Sequence, residues 1–225
     1  MASCVVPVFA TPLIDPDIPN GETATYRTIE QDEEWTFFER SFAIVEDELA
    51  AYRIEYTAPG ERSTVYIDRQ TMFPYASRNV SNGSDLTIES TTSVEIPETI
   101  ETDAILLLSF NELKYLLRGY PFESAPAIDV EFFSTDEDDT GSRFNVHVRY
   151  RGTERIKIGD DEIETHKLEL KFSASGVLRV LNALIPKTYY WYSVEPAHYL
   201  VAYEGSSGFP GSPKRRIEIV DYSGW

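Results

Sequence analysis

Thr102–Phe122 reads TDAILLLSFNELKYLLRGYPF, and the reading of this stretch decides the fold. Apolar residues fall at Ile105, Leu106, Leu108, Leu113, Leu116 and Leu117, with Phe110 and Tyr115 between them. That spacing gives a broad apolar stripe at helical period. Thr102 or Asp103 is placed to accept hydrogen bonds from the free amides of a first turn. Lys114 and Arg118 stand where cations complement the helix dipole. Gly119 is placed for a left-handed C′ conformation, and Pro121 bars continuation. The stretch therefore predicts one helix of about four turns over 103–118, apolar enough to be buried against a sheet.

The flanks read as strands and turns. Before the helix, Ala24–Glu30, Trp35–Val45, Leu49–Thr57, Ser63–Asp68, Pro74–Val80 and Leu86–Ile96 alternate or are rich in β-formers. The clearest is Leu49–Thr57, where Tyr52, Ile54 and Tyr56 share one face. Pro59-Gly60, Asp68–Thr71 and Asn82-Gly83 supply turns. After the helix come Ala127–Ser134, Arg143–Arg151, Glu154–Ile158, Ile163–Ala174, Lys187–Val194, His198–Glu204 and Arg216–Tyr222. Ser175–Ile185 fits a short helix at 175–185, with a hydrophobic strand as the alternative. Residues 1–23, with four prolines, predict an extended arm, and 24–225 a single β-rich domain. Sequential hairpins on this scale predict a mainly β fold. It is a curved antiparallel sheet, or an incomplete β-barrel or β-roll, with the one main helix packed on it.

Composition narrows the functional classes. The formal net charge of −18 repels phosphate backbones and disfavours nucleic acid as a partner. No apolar run is long enough for a spanning helix. Cys4 is the one cysteine, so neither an intrachain disulfide nor a cysteine metal cluster can form. Met1–Ser3 carries no apolar region, so no secretory signal is read in the chain as it stands. Met-Ala-Ser-Cys nevertheless places small residues before a cysteine, as lipoprotein processing sites do. Cys4 is thus either a lipidation site of a longer precursor or an ordinary free thiol.

The candidates for chemistry are few. His147, His166 and His198 show no paired spacing, so no metal site and no cofactor is expected. The Asp136–Asp139 run matches a calcium loop only in part and reads better as a solvated hairpin tip. Thr188–Glu204, TYYWYSVEPAHYLVAYE, is the most distinctive surface candidate. Its amphipathic aromatics can line a cavity or pack a core. Arg118, Tyr120, Tyr189, Trp191, Tyr199 and Tyr203 are the residues that would line a ligand site between the helix and these closing strands.

Several segments, in order, resemble the exported bacterial domain of unknown function 3108 family. They are Tyr52–Tyr56 (YRIEY), Tyr66–Tyr75 (YIDRQTMFPY), the Thr102–Phe122 helix, His147–Thr165 and Tyr190–Tyr203. The resemblance covers roughly residues 22–222. It departs from the family in the loop around Pro210 and at Val194–His198. It implies an extracytoplasmic, periplasmic or outer-membrane-associated protein of Gram-negative type, similar to lipoprotein-carrier half-barrels, and no catalytic residue. The expected function is non-enzymatic binding of an apolar or envelope-derived ligand, lipid or glycan, or of an envelope protein. The alternatives are a carbohydrate-active enzyme using a carboxylate pair and a structural module assembling through a sheet edge.

Overall fold

The structure, a computed structural model, describes residues 13–46, 48–82, 87–93, 104–107, 112–125, 127–134, 142–174, 187–207 and 212–224. Before the crossover come β1 (Thr23–Glu30), β2 (Glu33–Glu46), β3 (Leu49–Ala58), β4 (Glu61–Asp68), β5 (Pro74–Asn82), β6 (Thr87–Ser93) and β7 (Ala104–Leu107). A short helix, α1 (Leu113–Leu116), runs into the 3-10 turn Leu117–Gly119. Then come β8 (Ile128–Ser134), β9 (Ser142–Ile158), β10 (Asp161–Ala174), β11 (Thr188–Ser193), β12 (Leu200–Ser206) and β13 (Lys214–Ser223).

Among the described residues, thirteen strands form one sheet in the order β6-β5-β4-β3-β2-β1-β13-β12-β11-β10-β9-β8-β7. Neighbours are antiparallel throughout, except β7 and β8, which pair in parallel. The chain's two halves meet where β1 pairs with β13, closing termini that lie far apart in sequence. Laid flat, thirteen strands would span roughly 60 Å. Yet one core cluster gathers Tyr52, Ile54, Val65 and Ile67 from β3 and β4 with Val130, Val148 and Leu170 from β8–β10. The sheet therefore curls around a shared interior, open between β6 and β7.

The helix is shorter than 103–118. Ala104–Leu107 is a strand, registered from Ala104↔Asp129 to Leu107↔Phe132. An unbroken apolar run of this length suits a covered strand as well as a helix, and a partner strand decides it. Parallel pairing requires a crossover, and the segment carrying α1 provides it. Glu112 stands at the N-cap of α1 and makes no side-chain cap hydrogen bond, and the expected caps Thr102 and Asp103 lie outside the described residues. Leu113, Leu116 and Leu117 are fully buried on the concave face, each contributing about 1.5–3 kcal/mol. Gly119 is not left-handed. It is required because a Cβ there would stand 2.5 Å from the Ile14 carbonyl oxygen, whose residue also donates its amide to the Gly119 carbonyl at 2.8 Å. The expected helix at 175–185 lies outside the described residues.

The remaining strands follow the alternation read from sequence. Arg143–Arg151 and Glu154–Ile158 are one strand, β9, interrupted by a bulge in which Arg151 and Gly152 oppose Lys167. Gly152 has φ +98°, a conformation that favours glycine. Asp68 organises the β4–β5 turn by accepting from the Gln70 and Thr71 amides at 3.1 Å each. Residues 13–22 pack against the sheet, with Leu13 and Ile18 buried.

Candidate functional site

Because β-strands alternate their faces, every second residue of β1–β4 points at the helix. Trp35 and Phe37 come from β2, Tyr56 and Ala58 from β3, Ser63 and Val65 from β4, and Ile217 from β13. With Lys114 and Tyr115 of α1 they enclose a groove of about 610 Å³. Phe37 stacks on Tyr26 at 4.9 Å and meets Tyr56 at 5.0 Å, which makes an aromatic wall.

The wall holds a cation of the protein itself. Lys114 Nζ lies 4.9, 5.3 and 4.7 Å from the ring centres of Phe37, Tyr56 and Tyr115. It is ion-paired with Glu39, which also accepts a 2.7 Å hydrogen bond from the Tyr115 hydroxyl. Arg215, at the rim, pairs with Glu30 at 2.7 Å and lies 5.5 Å from the Trp35 ring centre. Glu33, Glu34 and Glu61 also line the groove, with no salt-bridge partner among the described residues. Burial, reinforced by Glu61 and Glu39, pushes the Tyr56 phenol up to about 12, so it stays neutral.

A second cleft, of about 630 Å³, opens beside the 3-10 turn and is lined by Ile14, Arg118, Tyr120, Phe122, His166 and His198, among others. Arg118 is buried and donates from both terminal nitrogens to Glu22, at 2.6 and 2.8 Å, and from Nε to the Ala197 carbonyl at 2.8 Å. Burial works against its charge, but the Glu22 carboxylate prevails and its pKa is raised. Phe122 stacks flat on His166 at 4.2 Å and meets His198 edge-on at 4.8 Å. The Tyr150 hydroxyl lies 3.0 Å from His166 Nδ1, and His198 Nδ1 lies 3.0 Å from the Ser193 carbonyl oxygen. Both imidazoles are held below the usual histidine range, His166 by burial and its neighbour His198, His198 by burial and Arg118.

Between the helix and the closing strands the space is nearly filled. Beside the inward rings of β11 and β12, a space of about 60 Å³ is bounded by Lys114, Tyr190, Leu200, Tyr203 and their neighbours. Tyr190 meets Tyr203 edge-on at 4.8 Å, the Tyr203 hydroxyl donates to the Ser206 carbonyl, and the Tyr192 hydroxyl donates to the Lys114 carbonyl at 2.7 Å.

The six residues expected to line one ligand site do not converge. Arg118 and Tyr120 share the second cleft. Tyr203 lines the filled space, and Tyr199 stacks on Tyr222 at 3.9 Å. Tyr189 and Trp191 face away from the helix, because the register turns Tyr190 and Tyr192 inward. There Lys167 lies against both rings and the Trp191 indole donates to Glu154 at 2.6 Å. Cys4 and the Asp136–Asp139 run lie outside the described residues. Among the described residues no group of three or more His, Cys, Asp or Glu could hold a metal ion. The aromatic groove was missed because its walls come from five strands whose pairing does not show in local spacing. The signal within reach was the i, i+2 pair Trp35 and Phe37 at the start of a strand.

No model of a known protein family matches the chain, so membership of the domain of unknown function 3108 family is not confirmed. No curated protein matches it either. Several solved structures are similar to the chain over most of its length. The hypothetical lipoprotein YmcC from Escherichia coli is 7% identical over 91% of this chain and 88% of its own, with a TM-score of 0.41. A beta-barrel-like protein of the domain of unknown function DUF1849 from Brucella abortus is 8% identical over 92% and 99%, with a TM-score of 0.47. A LolA superfamily protein from Nitrosomonas europaea is 9% identical over 95% and 89%, with a TM-score of 0.26.

Proposed function

We propose that the chain is a non-enzymatic binding protein whose aromatic groove takes an apolar or amphipathic ligand. The observation that carries this reading is the groove itself, about 610 Å³ walled by Trp35, Phe37 and Tyr56 beneath Lys114 and Tyr115. Its size and mixed lining suit a small molecule with an apolar body. Location in the cell envelope, periplasmic or outer-membrane-associated, belongs to the same reading and rests on the sequence resemblance.

The test uses N-phenyl-1-naphthylamine, a neutral apolar probe whose emission rises on leaving water. Saturable binding to the wild-type chain is expected, abolished by Ser63→Trp, which fills the groove, and retained in Ser124→Trp at the second cleft. Binding that Ser63→Trp leaves unchanged, or no saturable binding at all, would overturn the proposal.

A further inference from the structure

The groove's charges and rings define the polar end of what it takes. We infer that it selects a ligand ending in an organic cation of the alkylammonium class, an inference that rests on the groove being the binding site. The first observation concerns sign. Lys114 and Arg215 are neutralised in place by Glu39 and Glu30, while Glu33, Glu34 and Glu61 line the same space with no salt-bridge partner among the described residues. An anionic ligand would meet these carboxylates, of which Glu34 also acts on Arg27. A cationic one would compensate them, and the chain's net charge of −18 would draw it in.

The second observation is independent of the carboxylates. The aromatic wall already holds an ammonium group, since Lys114 Nζ sits within 5.3 Å of three ring centres. That is the geometry in which ring faces attract a cation. Trp35 stands on the same inward face of β2, nearer the mouth, and is half-buried. Its indole is the strongest cation-attracting ring type; the Arg215 guanidinium lies 5.5 Å from its ring centre, and Glu33 lines the groove beside it. The floor thus demonstrates the chemistry and the rim extends it to an incoming group. A ten-carbon chain lying along Phe37, Ala58 and Val65 would set its ammonium head against Trp35 and the three carboxylates.

The test compares three probes with the same chain, each below its micelle-forming concentration: decyltrimethylammonium, decyl maltoside and decanoate. Calorimetry on the wild-type chain is expected to rank them cation, neutral, anion. Cation affinity should fall with added salt. Glu33→Gln/Glu34→Gln/Glu61→Gln should weaken decyltrimethylammonium about tenfold, some 1.4 kcal/mol, and leave decyl maltoside unchanged. Trp35→Leu, which keeps apolar bulk and removes the ring, should weaken the cation alone. Circular dichroism would establish that each variant is folded. Equal affinity for the cationic and neutral probes, or no effect of the triple substitution, would overturn the cation assignment while leaving the groove as a binding site. If none of the three binds, both the assignment and the groove reading fall.

Discussion

Glu22 and Arg118 are 4% and 6% exposed at the side chain and form a two-pronged pair. Tyr222 also donates to Glu22, at 2.8 Å. Arg118 is thereby bound to the segment just before β1, to the Ala197 carbonyl and, through Glu22, to β13. Removing one member leaves the other charged in a dry site, which typically costs 3–5 kcal/mol, whereas replacing both by apolar groups is often nearly neutral. Glu22→Leu should therefore lower the urea midpoint strongly, and Glu22→Leu/Arg118→Leu should recover most of the loss. A double variant as unstable as the single one would show that the pair does more than compensate charge. Gly119→Ala is the companion case. Its Cβ must displace the Ile14 carbonyl, so roughly 1–3 kcal/mol of destabilisation is expected by the same denaturation assay. Sequence marked Gly119 as special but for a different reason, since the close approach of Ile14 arises only when the segment before β1 folds back.

At the scale of elements, the Pro121–Ser124 turn is held by Phe122 between two imidazoles. His166 faces Tyr150, Glu164 and His198, and His198 faces Arg118 and Ser193. Both have pKa values lowered from the ordinary 6.5. Between those lowered values and 6.5 the unfolded chain binds protons that the folded chain does not, so stability falls as pH drops below about 6.5. His166→Phe, which keeps the stack on Phe122, should flatten this loss in thermal melts between pH 7 and 5. An unchanged slope would assign it elsewhere. Glu154 and Glu169, held low by hydrogen bonds from Trp191 and Arg151, lose their contribution only as pH falls below about 4.5. The strands were legible wherever one face is buried, as in Leu49–Ala58, because alternation then has a physical cause. The helix was half legible. Ala104–Leu107 carries the same apolar run in either state, and only β8, more than twenty residues on, selects the strand.

Across the whole molecule, the mainly β class and the curl followed from many hairpins with one apolar face each. The order of strands did not, because β1–β13 pairing depends on contacts nearly 200 residues apart, such as Arg27 with Glu218. The residues expected to line one site lie apart for a related reason. The aromatic density of Thr188–Glu204 drew attention to strands whose inward rings Tyr190, Tyr192 and Tyr203 pack in the core, while the aromatic groove opens against β2, β3 and β4. There Phe37 and Tyr56 come from two strands and meet Lys114 only in the fold. The central claim is that this groove is a ligand site in the cell. Native mass spectrometry of wild-type and Ser63→Trp protein, purified side by side, tests it most directly. The wild type is expected to carry a releasable species of defined mass that Ser63→Trp lacks. Bare wild-type protein, or the same species retained by Ser63→Trp, would contradict the claim.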